Sequence, residues 1–147
     1  PDTIGELGIN AKMNELQAAM GLCVLDEIEQ ISADRETVTE AYSHFLDGKF
    51  QKQRIQAGAS YNHAYYPIAL ENEVKVIELM SSLRDSGVLA RRYFYPSLDS
   101  VAVLEATSTA CSESRKLSDR IVCLPIYSGL NAEEIEMISR KVSEVAR

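Results

Sequence analysis

A chain of 147 residues, 46 % hydrophobic and 25 % charged, holds enough apolar side chain for one globular core and is neither disordered nor fibrous in composition. Its formal charge of −7 speaks against nucleic acid or an anionic membrane, both of which demand a broad basic face. A few local donors would still suffice for a small phosphorylated ligand, and no apolar run approaches the ~20 residues of a membrane span.

Residues 1–12 read as a loop, with Gly5 and Gly8. The chain opens on "PDTIGELG", with no Met and no visible signal peptide, and reads like the interior of a longer protein. Met13, Leu16, Met20, Val24, Ile28 and Ile31 then recur at spacings of three and four, which predicts one face of a helix. A second helix is expected from about Ser32 to Leu46, with Val38, Ala41, Tyr42, Phe45 and Leu46 as its stripe and Gly48 as its stop. The two could be one long helix with a bend, with "DEIEQ" as a solvated acidic face.

The period then changes. "ASYNHAYYPIAL" reads as a strand, and Pro67 suggests that it has an edge or an irregular end. "NEVKVIELMSSLRDSG" is a helix capped by Asn72, burying Val76, Ile77, Met80 and Leu83 and ending at Gly87. "VLARRYFYP" (88–96) returns to strand character. "SLDSVAVLEATSTAC" suggests a loop with a short helical turn, "SESRKLSDR" a short polar helix, and "IVCLPIY" a buried strand closed by Pro125 and Gly129. Asn131 with Glu134 three residues on is a near capping box, and it opens a last helix whose Ile135, Ile138, Val142 and Val145 face the core. The pattern predicts an α+β fold spanning 1–147 as a single domain: a small mixed or antiparallel sheet with helices mainly on one face.

The three cysteines, Cys23, Cys111 and Cys123, match no zinc or redox spacing. Cys23 and Cys123 sit among apolar residues, as buried thiols of a reducing, cytoplasmic compartment would. No phosphate-binding loop, dinucleotide fingerprint or nucleophile elbow is present, and no metal site is expected from the two histidines. His44 lies within a helix beside Phe45 and reads as structural. His63, on the Tyr-rich strand, could line a site.

Two clusters stand out. Asn10 and Lys12 precede a helix start, where unpaired N–H groups and the positive dipole end favour an anion. A capping Asn beside a solvated Lys would give the same sequence. "ARRYFYPSL" packs two arginines, three aromatics and a proline into positions 91–96. Arg and Tyr together suit a phosphorylated, hydroxyl-rich ligand, and the alternative is an edge strand with one side buried, Phe94 with or without Tyr93, and its arginines solvated.

"GINAKMNELQAAMGL" resembles the segment G-x-N-x-[RK]-M-x-E-x-Q-A-A-x-G-L of the DegT/DnrJ/EryC1/StrS sugar aminotransferases, fold-type-I enzymes that use pyridoxal 5'-phosphate. "GVLARRYFYPSL" resembles the family's later segment, a strand running into a Tyr-Pro-rich turn at the substrate site. "CLPIYSGLNAEEIEMI" resembles its Leu-Pro strand and following helix. The resemblance covers nearly the whole chain and implies the smaller, C-terminal part of such an enzyme. The large domain, with the Schiff-base lysine, the Asp for the pyridine nitrogen and the stacking aromatic, is not in this chain. Lys12, Lys49, Lys52, Lys75, Lys116 and Lys141 all sit in contexts unlike the catalytic lysine, so the chain alone is expected not to transaminate.

By motif match, Asn10 and Lys12 would cross the interface of a homodimer to the cofactor phosphate held by the partner subunit. Many members carry arginine where this chain has Lys12, which keeps the charge and loses the planar fork. Arg92, Tyr93 and Tyr95 would face the nucleotide-sugar substrate. "RRYFYPSL" is closest to enzymes of deoxysugar biosynthesis that aminate a 4-keto-6-deoxy sugar on dTDP. The resemblance thus implies a transaminase with glutamate as donor. A relative without the lysine, acting as a sugar dehydratase or regulator, and a non-catalytic sugar-nucleotide-binding or dimerisation module stay open. The apolar face of the first helix is expected to be left exposed, where it would meet the large domain and the partner subunit.

Overall fold

The computed structural model describes residues 12–101 and 110–146. In chain order it has α1 (Glu15–Asp26), α2 (Ile28–Phe45), β1 (Gln51–Lys52), β2 (Tyr66–Ala69), α3 (Glu73–Arg84), a 3-10 turn (Leu98–Ser100), α4 (Ser112–Ser118), β3 (Ile121–Leu124) and α5 (Ala132–Val145). The strands form one antiparallel sheet in the order β1-β2-β3, with Gln51 opposite Ala69 and Tyr66 opposite Leu124.

Alternation along the strands sorts the two faces of the sheet. Tyr66, Ile68, Val122 and Leu124 join Val38 and Tyr42 of α2, Val76, Leu79 and Leu83 of α3, and Ile135, Ile138, Val142 and Val145 of α5 in one buried cluster. α5 packs against both α2 and α3. Its start is a full capping box, Asn131 Oδ1 accepting from Glu134 N–H and Glu134 Oε2 from Asn131 N–H, each at 3.0 Å. Tyr42 ties α2 to the end of β3: its ring lies 5.0 Å from that of Tyr66 and its hydroxyl donates to the Pro125 carbonyl at 3.1 Å. Burial pushes the Tyr42 phenol well above its ordinary pKa.

Several expectations shift. The strand foreseen over 59–70 is only Tyr66–Ala69, and β2 is the central strand, with its β1 side unpaired from Pro67 back, the irregular end that the proline suggested. Pro67 is tolerated there for a geometric reason. Cys123 exchanges both its backbone hydrogen bonds with Arg91, at 2.7 and 3.2 Å, so its pairing with Pro67 is of the non-hydrogen-bonded kind. The Pro67 nitrogen therefore faces the β1 side, where pairing ends at Lys52 with Ile68. The strand foreseen over 88–96 reduces to that single Arg91–Cys123 bridge. In α3 the buried phase is Val76, Leu79 and Leu83, with Ile77 exposed in place of buried and Met80 half-buried.

α1 begins at Glu15, capped by Asn14, whose Oδ1 accepts from Gln17 N–H at 2.9 Å. Met13 lies before the helix. α1 has no buried residue, and Leu16 (73 %), Met20 (63 %), Leu22 (65 %) and Leu25 (62 %) stand open. The exposed apolar surface expected of the first helix is present, and it extends around the helix rather than along one stripe. Cys23 is accordingly exposed, as is Cys111; only Cys123 is buried as foreseen.

Candidate functional site

After α3 the chain turns at Gly87, which sits at φ +77° where a side chain would be strained. It then meets β3 through Arg91. The two adjacent arginines part here. Arg91 is exposed. Its Nη1 donates to the Tyr93 hydroxyl and its guanidinium lies 5.4 Å from that ring. Arg92 turns inward. Its Nη2 donates to Glu73 Oε1 at 2.8 Å, and its guanidinium carbon stands 3.4 Å from the centre of the Tyr95 ring.

Two more rings complete the surface. Tyr65 meets Tyr93 edge-on at 5.4 Å, and Tyr93 stacks on Phe94 at 5.2 Å. Phe94 is 70 % exposed, unusual for so large an apolar ring. Tyr65 and Tyr93 stand between two recesses. One, of about 560 Å³, is lined by Tyr65, Leu89, Arg91, Tyr93, Tyr127 and Glu134. The other, of about 660 Å³, lies over the sheet face opposite the helices and is lined by Lys52, Arg54, Tyr65, Tyr93, Phe94 and Ile121. Cys123 borders both. Burial raises its thiol pKa, which keeps it a protonated packing group rather than a nucleophile.

The turn that follows is clasped by Asp99, buried at 6 % exposure. Its Oδ1 accepts from the Ser97 hydroxyl at 2.5 Å, and its Oδ2 from Cys111 N–H at 2.6 Å and Arg115 Nε at 2.7 Å. The Cys111 N–H, then Ser97 and Arg115, hold this carboxyl below the usual aspartate range.

Arg92, Tyr93 and Tyr95 share one turn, and of the three only Tyr93 lines a recess. Lys12 is exposed two residues before the α1 cap and lines neither recess; Asn10 lies outside the described residues. His44 is exposed in the last turn of α2 against Phe45. His63 lines neither recess either, its ring 4.6 Å from that of Tyr61 and its Nε2 4.0 Å from Glu36. Tyr65 and Glu73 belong to the site surface or its support and were not singled out from sequence, while Arg91 and Phe94 lay within the 91–96 cluster without an individual role. The doubled Tyr of "HAYYP" was the available signal for Tyr65. Among the described residues no group of three or more His, Cys, Asp or Glu could hold a metal, and no helix is long and apolar enough to cross a membrane.

A cofactor with a phosphate end is fitted by the donor set in part. The Lys12 ammonium is exposed, forms no ion pair among the described residues, and stands at the amide end of α1. That suits a phosphate. None of the six lysines is buried, so the chain has no desolvated amine of the kind a Schiff base requires.

This arrangement of sheet, covering helices and aromatic turn is an aminotransferase fold. A DegT DnrJ EryC1 StrS aminotransferase from Brucella abortus superposes with a TM-score of 0.80 at 23 % identity, over 97 % of this chain and 38 % of that one. PseC of Helicobacter pylori, an aminotransferase involved in the biosynthesis of pseudoaminic acid, gives 0.75 at 22 % identity, over 97 % of this chain and 40 % of that one. The model of the DegT/DnrJ/EryC1/StrS aminotransferase family matches residues 2–143, and the chain belongs to this family. Among curated relatives it is similar to the dTDP-4-amino-4,6-dideoxy-D-glucose transaminase of Escherichia coli, 28 % identical over 148 aligned positions. The match takes in 94 % of this chain and 39 % of that enzyme, so the chain spans about two-fifths of the relative's length.

Proposed function

We propose that this chain is the C-terminal part of a pyridoxal 5'-phosphate-dependent transaminase that aminates a keto sugar carried on a nucleoside diphosphate. A 4-keto-6-deoxy sugar is the proposed acceptor, with glutamate as amino donor. The observation that carries the reading is the turn at 91–96, where Tyr93 and the exposed guanidinium of Arg91 line one open recess and the Tyr95 phenol follows on the same turn. Phenol hydroxyls bond sugar and phosphate oxygens, and a guanidinium balances diphosphate charge. The relative that transaminates a dTDP-linked dideoxy sugar supports the same substrate class.

The cofactor, when bound, supplies the electron sink for proton removal at the reacting carbon. This chain's own residues bind and orient. Asn10 and Lys12 hold the cofactor phosphate across the interface with a second copy. Tyr93 and Tyr95 hold the sugar nucleotide, with Arg92 in contact with Tyr95 and Arg91 offering the unburied charge. The catalytic lysine belongs to a large domain outside this chain, in a cytoplasmic homodimer. α1 supports that assembly, since a helix apolar on every side needs cover on more than one side.

The test uses the full-length protein with dTDP-4-keto-6-deoxyglucose and glutamate. Production of the amino sugar is expected, as is weaker cofactor retention after Asn10→Ala with Lys12→Ala. Full retention in that double variant would overturn the phosphate role. Tyr95→Phe should raise KM for the sugar more than KM for glutamate, and an equal rise in both would remove Tyr95 from the sugar site.

A further inference from the structure

We infer that Glu73, acting through Arg92, is a positioning residue for Tyr95, an inference that rests on the reading that Tyr95 meets the sugar nucleotide. Glu73 is the first residue of α3, on an end fixed by Asn72 Oδ1 accepting from Lys75 N–H at 3.1 Å. A carboxylate there is favoured by the positive end of the helix dipole. It receives Arg92 Nη2 at 2.8 Å. The same Nη2 stands 3.4 Å from the carbonyl oxygens of Ser118 and Asp119, at the negative end of α4. Two elements remote in sequence therefore grip one guanidinium, whose side chain is only 15 % exposed.

What this grip controls is the Tyr95 ring. The guanidinium carbon lies 3.4 Å from the ring centre, a contact made by a flat cation on an aromatic face. Lysine, a point charge, would keep the attraction to Glu73 and lose that flat contact. With one ring face held, the Tyr95 hydroxyl has no hydrogen-bond partner among the described residues and is left for a ligand. An Arg92 that reached out to a diphosphate would have to leave Glu73 and both carbonyls. The geometry assigns it to the ring instead.

The experiment is kinetic and uses the full-length transaminase with E73Q, R92K, Y95F and the double variant E73Q/Y95F. E73Q and R92K are each expected to raise KM for the nucleotide sugar roughly three- to ten-fold and to leave the glutamate half-reaction within about twofold. In the Y95F background E73Q should add nothing, because the ring would no longer carry the hydroxyl it positions. R92K should melt close to wild type, separating loss of ring contact from loss of fold. An E73Q effect that persists in full in Y95F, falls equally on both half-reactions, or is absent from R92K would overturn the inference. Y95F alone reads the underlying assignment. If it leaves the sugar KM unchanged, that assignment is wrong and the positioning role falls with it. If Y95F raises KM while E73Q and R92K do not, only the positioning role is overturned.

Discussion

α5 and α1 are both rich in apolar residues, and they meet opposite fates. α5 segregates its side chains. Ile135, Ile138, Val142 and Val145 are buried while Glu133, Glu136 and Arg140 stay in solvent. α1 does not segregate. Leu16, Met20, Leu22, Val24 and Leu25 are distributed around the helix, and none is buried. A single face can be satisfied by one neighbour in the same chain, whereas an all-round apolar helix needs to be enclosed. The contrast separates what this chain builds for itself from what it offers to something else.

That contrast can be broken or sharpened by substitution. The largest effect is expected where the self-contained core is densest: Leu79→Ala should destabilise by about 2–5 kcal/mol in denaturant unfolding. A core that lost nothing there would not be packed as described. Next comes the Asp99 clasp, whose contribution depends on pH. Its folded pKa lies below the ordinary aspartate value of about 3.9. Its stabilising contribution is therefore complete above that value and is lost as pH falls through the lower folded value. The gap in stability between wild type and Asp99→Asn should be open at pH 6 and close toward pH 2. A pH-independent gap would mean that the ionised form is not what holds the turn. Asn131→Ala removes the α5 capping box and should cost ~1 kcal/mol. The smallest folding effect is expected in α1, where Leu16→Ala should change unfolding by less than about 0.5 kcal/mol. It should nonetheless reduce self-association in sedimentation. A large folding penalty at Leu16 would show α1 to be part of the core after all.

The sequence was most legible where local and tertiary demands coincide. In α5 the cap residues and the buried spacing name the same segment, and every expected core position is buried. α3 shows the limit. Its cap was legible, but Ile77 and Leu79 are equally apolar, and only the direction of approach of α5 and the sheet decides that Leu79 goes in. β1 is two polar residues, Gln51 and Lys52, with no alternation to detect. Among the candidate site residues, "RRYFYP" carried composition but not orientation. Two neighbouring arginines look interchangeable in a sequence, while the fold leaves Arg91 exposed and takes Arg92 to a carboxylate that lies 19 residues earlier. The tyrosine pair was readable as a binding cluster; the residue that steadies it, Glu73, looked like one more acidic start to a helix.

Pro67 also limits how far a strand can pair along this side of the sheet. Beyond the two residues of β1, the central strand offers the next chain a proline nitrogen, which cannot donate. A strand arriving from a neighbouring molecule would find an interrupted template and could not zip along it. On that side of the sheet, pairing beside the central strand is limited to the two residues that β1 already occupies.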